Sequence, residues 1–146
     1  MRTSMAELTN DAASLRFTLT PAGNDLASAG IEFYDARDKT FWPLVQLPVL
    51  HLHLESIRAL GTMVGPLLSG QTDAFAWRGG HGEELALSVA KSTEEDTRWV
   101  VELGLDLSAY LRETAHLYIA PKRELALFRF HTTAPRLQEF SAALAV

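Results

Sequence analysis

The sequence contains no cysteine. Disulfides, thiolate metal sites and cysteine nucleophiles are therefore all excluded, and the composition fits a reducing compartment. An apolar signal segment is also missing, because the first residues, MRTSMAE, are small or polar. The most apolar stretch, residues 41–54, is interrupted by prolines and histidines and is too broken to span a membrane. We therefore expect a cytoplasmic protein that has no membrane partner.

A basic stripe is missing as well. The net charge is −5, and the lysines and arginines are scattered along the chain. A nucleic-acid-binding domain usually concentrates positive charge on one face, so we expect no nucleic-acid partner. The chain also has no Gly-x-Ser-x-Gly elbow and no His-Glu-x-x-His motif. An enzyme is therefore the less favoured class.

What the sequence does contain is the composition of one globular domain. Its 146 residues are 47% hydrophobic and 21% charged, which is enough to bury a core without cross-links. The opening residues are small and polar, so residues 1–13 are predicted to form a flexible N-terminus. Residues 14–146 are predicted to form a single domain.

Periodicity predicts an α+β fold. Alternating residues such as Leu15, Phe17 and Leu19 are typical of half-buried strands, and about 7–8 such strands are expected. Helical spacing predicts two helices, over residues 57–69 and 134–145, with Ser56 and Thr133 as their N-caps. The expected architecture is a mainly antiparallel sheet covered by two helices.

The two helical segments also indicate an internal repeat. Leu60 and Leu137 lie 77 residues apart, and the same offset superimposes Leu67 on Leu144. A duplicated β-β-β-α unit would explain these matches, and so would the ordinary likeness of two helices that pack on a sheet. Residues 107–113 fit both a strand and a single helical turn, and periodicity does not separate the two.

One strand could carry metal ligands. In His51-x-His53-x-Glu55, a strand would point all three side chains to one face, and imidazole with carboxylate suits Zn²⁺ or another divalent metal. A further ligand would have to come from elsewhere, and His131 and His116 are the available histidines. The alternative is a solvated strand face opposite a row of leucines.

Three residues are candidates for binding a partner. Trp42 follows Phe41, so one of that pair is expected to be exposed, and Trp77 with Arg78 is expected at the end of a hairpin. Exposed tryptophan and arginine side chains often anchor protein interfaces. The alternative for both tryptophans is ordinary packing.

The second half of the chain carries an architectural resemblance. The order of strands around residues 99–103 (WVVEL) and 130–132 (FHT), followed by a closing helix, resembles small bacterial α+β domains. Some of these are immunity-type proteins of polymorphic toxin systems. The resemblance implies a protein that inhibits or protects by binding a partner protein, and it assigns no functional residue.

Three functions are therefore expected, in order of preference. The first is a non-enzymatic interaction domain of the immunity or inhibitor type, which has no cofactor and binds a partner protein or forms a homodimer. The second is a metal-binding protein or metal-dependent enzyme that uses His51 and His53. The third is a small-ligand carrier, in which Gly61 and Gly65 leave room between the sheet and a helix.

Overall fold

A computed structural model describes residues 2–10, 12–35, 37, 39–45, 51–80, 85–106 and 125–145. These residues contain nine strands and two helices and confirm the α+β class. Their order is β1 (Ser4–Thr9), β2 (Ala13–Pro21), β3 (Leu26–Asp35), β4 (Thr40–Val45), β5 (His51–His53), α1 (Leu54–Leu68), β6 (Ala74–Gly79), β7 (Leu85–Lys91), β8 (Arg98–Asp106), β9 (Leu125–Thr133) and α2 (Ala134–Ala143). The alternatives for 107–113 lie outside the described residues.

The strands form two antiparallel sheets rather than one. The first sheet has the order β1-β2-β3-β4, with β5 also pairing with β3, and the second has the order β6-β7-β8-β9. Alternating residues point into the core, as in β2, where Leu15, Phe17 and Leu19 are buried. The sheets meet where Phe33 of β3 packs against Phe128 and Phe130 of β9, with ring centroids 5.3 and 6.4 Å apart.

The predicted flexible N-terminus is wrong, because β1 lies inside it. Strand β1 pairs with β2 along its whole length, from Ser4 to Thr9. Ala6 and Leu8 have no exposed surface, and α2 packs against this strand. In β1, only Ala6 and Leu8 are buried apolar side chains. Two alternating apolar residues among polar neighbours are too few to predict a strand from the sequence.

Both predicted helices are present in the described residues, but the start of α1 differs. Its N-cap is His53 rather than Ser56, whereas α2 does begin directly after Thr133. The backbone N–H of Leu54 donates to the carbonyl of Asp25 at 2.9 Å, which fixes the chain at the end of β5 and lets the helix begin there. In the described part of the chain, no helix combines the length and apolar character that crossing a membrane requires.

Each helix covers the other half of the molecule. Helix α2 follows the second sheet but packs on β1 of the first, where the rings of Phe140 and Phe17 lie 5.8 Å apart. Helix α1 follows the first sheet but packs on β6 of the second. Burial of each apolar side chain in these faces contributes roughly 1.5–3 kcal/mol, so neither half has a complete core without the other.

The two halves are a structural repeat. Aligning the N-caps, rather than using the 77-residue offset, superimposes the buried positions of the helices. These pairs are Ile57 with Leu137, Leu60 with Phe140, and Val64 with Leu144. The same alignment superimposes Gly61 on Ser141, and these two residues touch, because the Ser141 hydroxyl donates to the Gly61 carbonyl at 2.8 Å. A contact between aligned residues is what two similar halves packed face to face through their helices produce.

Trp77 joins the two halves on the β6 side. Its side chain is buried, at 4% exposure, and its indole N–H donates to the Ser56 carbonyl of α1 at 2.9 Å. The ring lies over Gly79, where a Cβ would collide with the indole and press on Leu52. Gly79 is thus required by packing rather than by backbone conformation.

We expect Gly79→Ala to lower the free energy of unfolding by about 1–3 kcal/mol, because the added methyl overpacks the Trp77 site. Gly65→Ala is the matched control. Nothing lies within 4 Å of a Cβ at Gly65, so this change should stabilise α1 by up to about 1 kcal/mol. Urea unfolding of both variants measures the difference. Equal effects of the two substitutions would refute the close approach of Trp77 to Gly79.

Leu8→Ala should cost about 2–5 kcal/mol of unfolding free energy, because it opens a cavity between β1 and α2. Met5 lies on the same strand and is 58% exposed. Met5→Ala should therefore stay within about 0.5 kcal/mol of the wild type. If thermal or urea unfolding shows no loss for Leu8→Ala, β1 is not part of the core.

Candidate functional site

The three predicted partner-binding residues differ in their exposure in the structure. Trp77 does not fit the anchor hypothesis and agrees with the alternative of ordinary packing, because its indole is buried and hydrogen-bonded to α1. Arg78 is exposed on β6, as expected. Trp42 lies in β4 and pairs with Phe33, and its side chain is outside the described part of the structure. Of the three candidates, only Arg78 has a side chain that is described and accessible.

The predicted metal ligands do not come together in the described residues. His51 and His53 are both exposed on β5, but Glu55 belongs to the first turn of α1 and not to the strand. His131 lies on β9, in the other sheet. Within the ranges that the structure describes, no three His, Asp or Glu side chains gather closely enough to hold a metal ion. His116 lies outside those ranges.

A cleft of about 180 Å³ opens where three separate parts of the chain converge. They are the β1–β2 turn, the start of β8 and the junction of β9 with α2. The lining residues are Asn10, Ala12, Arg98, His131, Thr132, Thr133 and Arg136. Among the described residues of this lining, the ionisable side chains are basic and none is a carboxylate, although the whole chain is acidic.

Asn10 and Thr132 hold one wall of the cleft. The Asn10 side-chain oxygen accepts from the backbone N–H groups of Ala12 and Ala13, both at 2.7 Å, which shapes the β1–β2 turn. Its Nδ2 donates to the His131 carbonyl at 2.8 Å, and the Thr132 hydroxyl donates to the Thr9 carbonyl at 2.8 Å. These two bonds tie the turn to β9.

Arg98 is positioned by the turn between β7 and β8. The Ser92 hydroxyl accepts from the N–H groups of Glu94 and Glu95, and the Arg98 N–H donates to the Glu95 carbonyl at 3.2 Å. The Arg98 guanidinium also pairs with the Glu95 carboxylate at 2.9 Å. Both side chains of this pair are about half exposed, and such pairs contribute little to stability. A ligand can therefore replace Glu95 at small cost.

Arg136 lies in the first turn of α2, where a cation is unfavourable. The N-terminus of a helix carries a partial positive charge and unpaired N–H groups, so acidic residues are normally preferred there. The first turn of α2 contains no acidic residue, and its N-cap Thr133 makes no side-chain capping bond. An anion in the cleft would meet the positive end of the helix dipole and would lie beside the guanidinium.

The other half of the molecule lacks these arginines. In the strand register, Arg98 of β8 lies opposite the N-cap Thr133, and in the first half Leu26 of β3 lies opposite the N-cap His53. The N-cap alignment places Ser56 at the position of Arg136 and His51 at that of His131. The Ser56 carbonyl is already bound by Trp77. The fold therefore builds a helix N-terminus at this place twice, and the sequence adds two guanidinium groups only once.

The sequence contained one signal for this cleft that was not used. Arg136 follows the predicted cap Thr133 within the first turn of a predicted helix, against the usual charge preference. Arg98 and Asn10 gave no signal, because they approach Arg136 only after both sheets have formed.

Thr132→Val should lower the unfolding free energy by about 1–3 kcal/mol, since it leaves the Thr9 carbonyl without its donor. Thr133→Val is a matched control at the next residue, because the Thr133 side chain makes no capping bond. Chemical denaturation of both variants, together with hydrogen exchange in the β1–β2 turn, measures the effect. A Thr133 effect as large as that of Thr132 would contradict the role of the Thr132–Thr9 bond.

Comparison with known proteins gives no match for this chain. No family model, no curated protein and no solved structure is significantly similar to it. No role can therefore be transferred to Arg98, Arg136 or any other residue from a relative. The immunity-type resemblance of the second half stays an expectation, and function has to be argued from the chemistry of the cleft.

Proposed function

We propose that the protein is a non-catalytic binding domain that recognises an anionic group presented by a partner protein, and that this group enters the cleft beside α2. The observation that carries the proposal is the convergence of Arg98 and Arg136 at the uncapped N-terminus of α2. An inhibitor or immunity-type role would be one form of such a function.

The chemistry of the lining favours binding over catalysis. Guanidinium groups stay protonated in proteins and act only as hydrogen-bond donors, so they hold an anion and do not exchange protons with it. Asn10 and Thr132 are engaged in bonds that shape the wall. Besides the imidazole of His131 and the hydroxyl of Thr133, the groups that face a ligand are thus donors and positive charges.

The size of the cleft favours a macromolecular partner. Sites that enclose a whole small molecule usually measure about 300–1,000 Å³, whereas this cleft measures about 180 Å³. It therefore accepts the end of a larger molecule, such as a side chain, while the rest of that molecule stays on the surface. A small-ligand carrier would need a larger cavity.

Anion binding can be measured on the full chain by amide NMR shifts during titration with sodium acetate and sodium phosphate at constant ionic strength. We expect shifts at Asn10, Ala12, Arg98 and residues 131–136. The double variant Arg98→Glu, Arg136→Glu should abolish them, because it replaces two attractive charges with repulsive ones. Arg78→Glu changes charge on β6, outside the cleft lining, and should leave them intact. Shifts that are absent or centred on β6 would reject the cleft.

The partner is tested by isolating the complex from the protein's own cells and determining its stoichiometry. A one-to-one complex with a defined protein should survive Arg78→Glu and weaken at least ten-fold in the Arg98→Glu, Arg136→Glu variant. Loss through Arg78→Glu alone would move the interface to β6. Retention of a small molecule without a protein would favour a carrier instead.

A further inference from the structure

We infer that the protein forms a homodimer in which strand β6 of one copy pairs with β6 of a second copy. The two strands run antiparallel and join the second sheets of both copies into one continuous sheet. The inference does not depend on the anion-binding cleft, because none of the residues that line the cleft lies on β6.

Strand β6 is an edge strand, and its free side carries backbone groups that can pair. It comes first in the order β6-β7-β8-β9, and just before it the Lys91 N–H donates to the Asp73 carbonyl at 2.8 Å. In an antiparallel pair, residues whose backbone groups face the neighbouring strand alternate with residues whose groups face away. Because Asp73 faces β7, the N–H and C=O groups of Ala74, Ala76 and Arg78 point to the free side. Within the described residues, no backbone–backbone hydrogen bond reaches these groups from that side.

The other sheet edges are already used or interrupted. On β1 the Thr9 carbonyl accepts from the Thr132 hydroxyl, and on β9 the His131 carbonyl accepts from Asn10 Nδ2. Strand β4 carries Pro43, which has no N–H, and its pairing with β3 shifts in register. Natural sheets protect their edges in such ways. Strand β6 contains no proline and pairs with β7 without a shift, so among the described edges it is the one suited to accept another strand.

The sequence of β6 is self-complementary in one antiparallel register. Centring the pair on Ala76 sets Ala76 opposite its own copy and Ala74 opposite Arg78. Every backbone group on the free side then meets a group of the other copy, and no like charges lie opposite each other. The exposed alanine side chains are too small to obstruct the approach. The two-fold axis passes beside Ala76, as a symmetric dimer with identical surfaces requires.

Strand β1 is the counterpart of β6 in the first half, and it is less suited to pair with itself. The Asn10 N–H donates to the Ala13 carbonyl at 2.8 Å, so by the same alternation Met5, Glu7 and Thr9 face the free side of β1. A self-pair that used all three residues would set Glu7 opposite Glu7. Like charges directly opposite each other destabilise a strand pair.

The inward side of β6 adds an apolar contact. Phe75 is only partly buried against the core, whereas Trp77 is buried and bonded to α1. In the register centred on Ala76, Phe75 lies opposite Trp77 of the other copy, where aromatic side chains of neighbouring strands pack together. The dimer therefore covers the exposed part of the Phe75 ring. Since β6 has six residues, the interface is small, and we expect a dimer that dissociates on dilution.

Sedimentation-velocity ultracentrifugation of the full chain over a range of concentrations measures the dimer. We expect the wild type to pass from monomer to dimer as the concentration rises. Ala76→Pro removes an N–H that points away from β7, so it should weaken the dimer at least ten-fold while the chain stays folded. Ala76→Ser keeps the N–H and is the control. A wild type that is monomeric throughout, or a folded Ala76→Pro variant that dimerises normally, would overturn the inference.

The register is tested by charge at Ala74, which needs no proline in the strand. Ala74→Glu sets a carboxylate opposite Arg78 of the other copy and should strengthen the dimer. Ala74→Lys sets two positive charges opposite each other and should weaken it. Ala74 is exposed, so neither change disturbs the core. Equal or reversed effects would contradict this register.

The lack of native cysteine allows a direct check of the two-fold axis. Ala76→Cys should form an intermolecular disulfide under mild oxidation, because the Cα atoms of residues opposite each other in such a pair lie about 5.5 Å apart. Arg78→Cys is the control on the same strand, since Arg78 lies opposite Ala74 and far from its own copy. Non-reducing electrophoresis measures the cross-linked fraction. Cross-linking of Arg78→Cys that equals or exceeds that of Ala76→Cys would overturn the pairing, and unfolding curves verify that each variant is folded.

Discussion

The packing of each helix on the sheet of the other half is the constraint on which the rest of the structure depends. Each sheet buries its first strand under the helix of the other half, and the helices cross where Gly61 meets Ser141. Gly61 has no side chain, and a Cβ added there would lie 3.4 Å from Leu144 Cβ. This crossing is therefore close-packed. Because each half completes the core of the other, strands near both ends of the chain are fixed with respect to each other, and a site between them becomes rigid.

The like arrangement of the two halves allows the surroundings of their two helix N-termini to be compared. Near the N-terminus of α1, the Trp77 indole donates to the Ser56 carbonyl. The strand register makes Ala6 the counterpart of Trp77. Ala6 pairs with Phe17, which pairs with Ile31 in the next strand. Trp77 pairs with Leu87, which pairs with Leu103 in the next strand. A methyl group cannot reach as far as an indole. The first strands of the two halves thus differ at one inward position, where β6 carries an indole that reaches α1 and β1 carries a methyl group.

Local pattern predicted the elements, and long-range packing decided the site. The strands with clear alternation and both helices could be read from the sequence, because their signals lie within a few residues. Trp77 was a candidate interface anchor because it was expected at the end of a hairpin. The helix that buries it, α1, belongs to the other half of the chain. The alternation from His51 to Glu55 does not continue as a strand, because the Leu54 N–H bonds to the Asp25 carbonyl and α1 begins there. The cleft joins Asn10, Arg98 and Arg136, whose proximity no short-range period encodes.

The charge distribution limits the kind of partner that can use the cleft. The chain carries a net charge of −5, so it repels an acidic protein until salt screens the repulsion beyond the Debye length of about 10 Å. Among the described residues that line the cleft, Arg98, Arg136 and the N-terminus of α2 supply positive charge. Long-range steering therefore works against a uniformly acidic partner, while short-range hydrogen bonds favour an isolated anion. The surface that fits both requirements is neutral or basic overall and carries its negative charge as a single concentrated group.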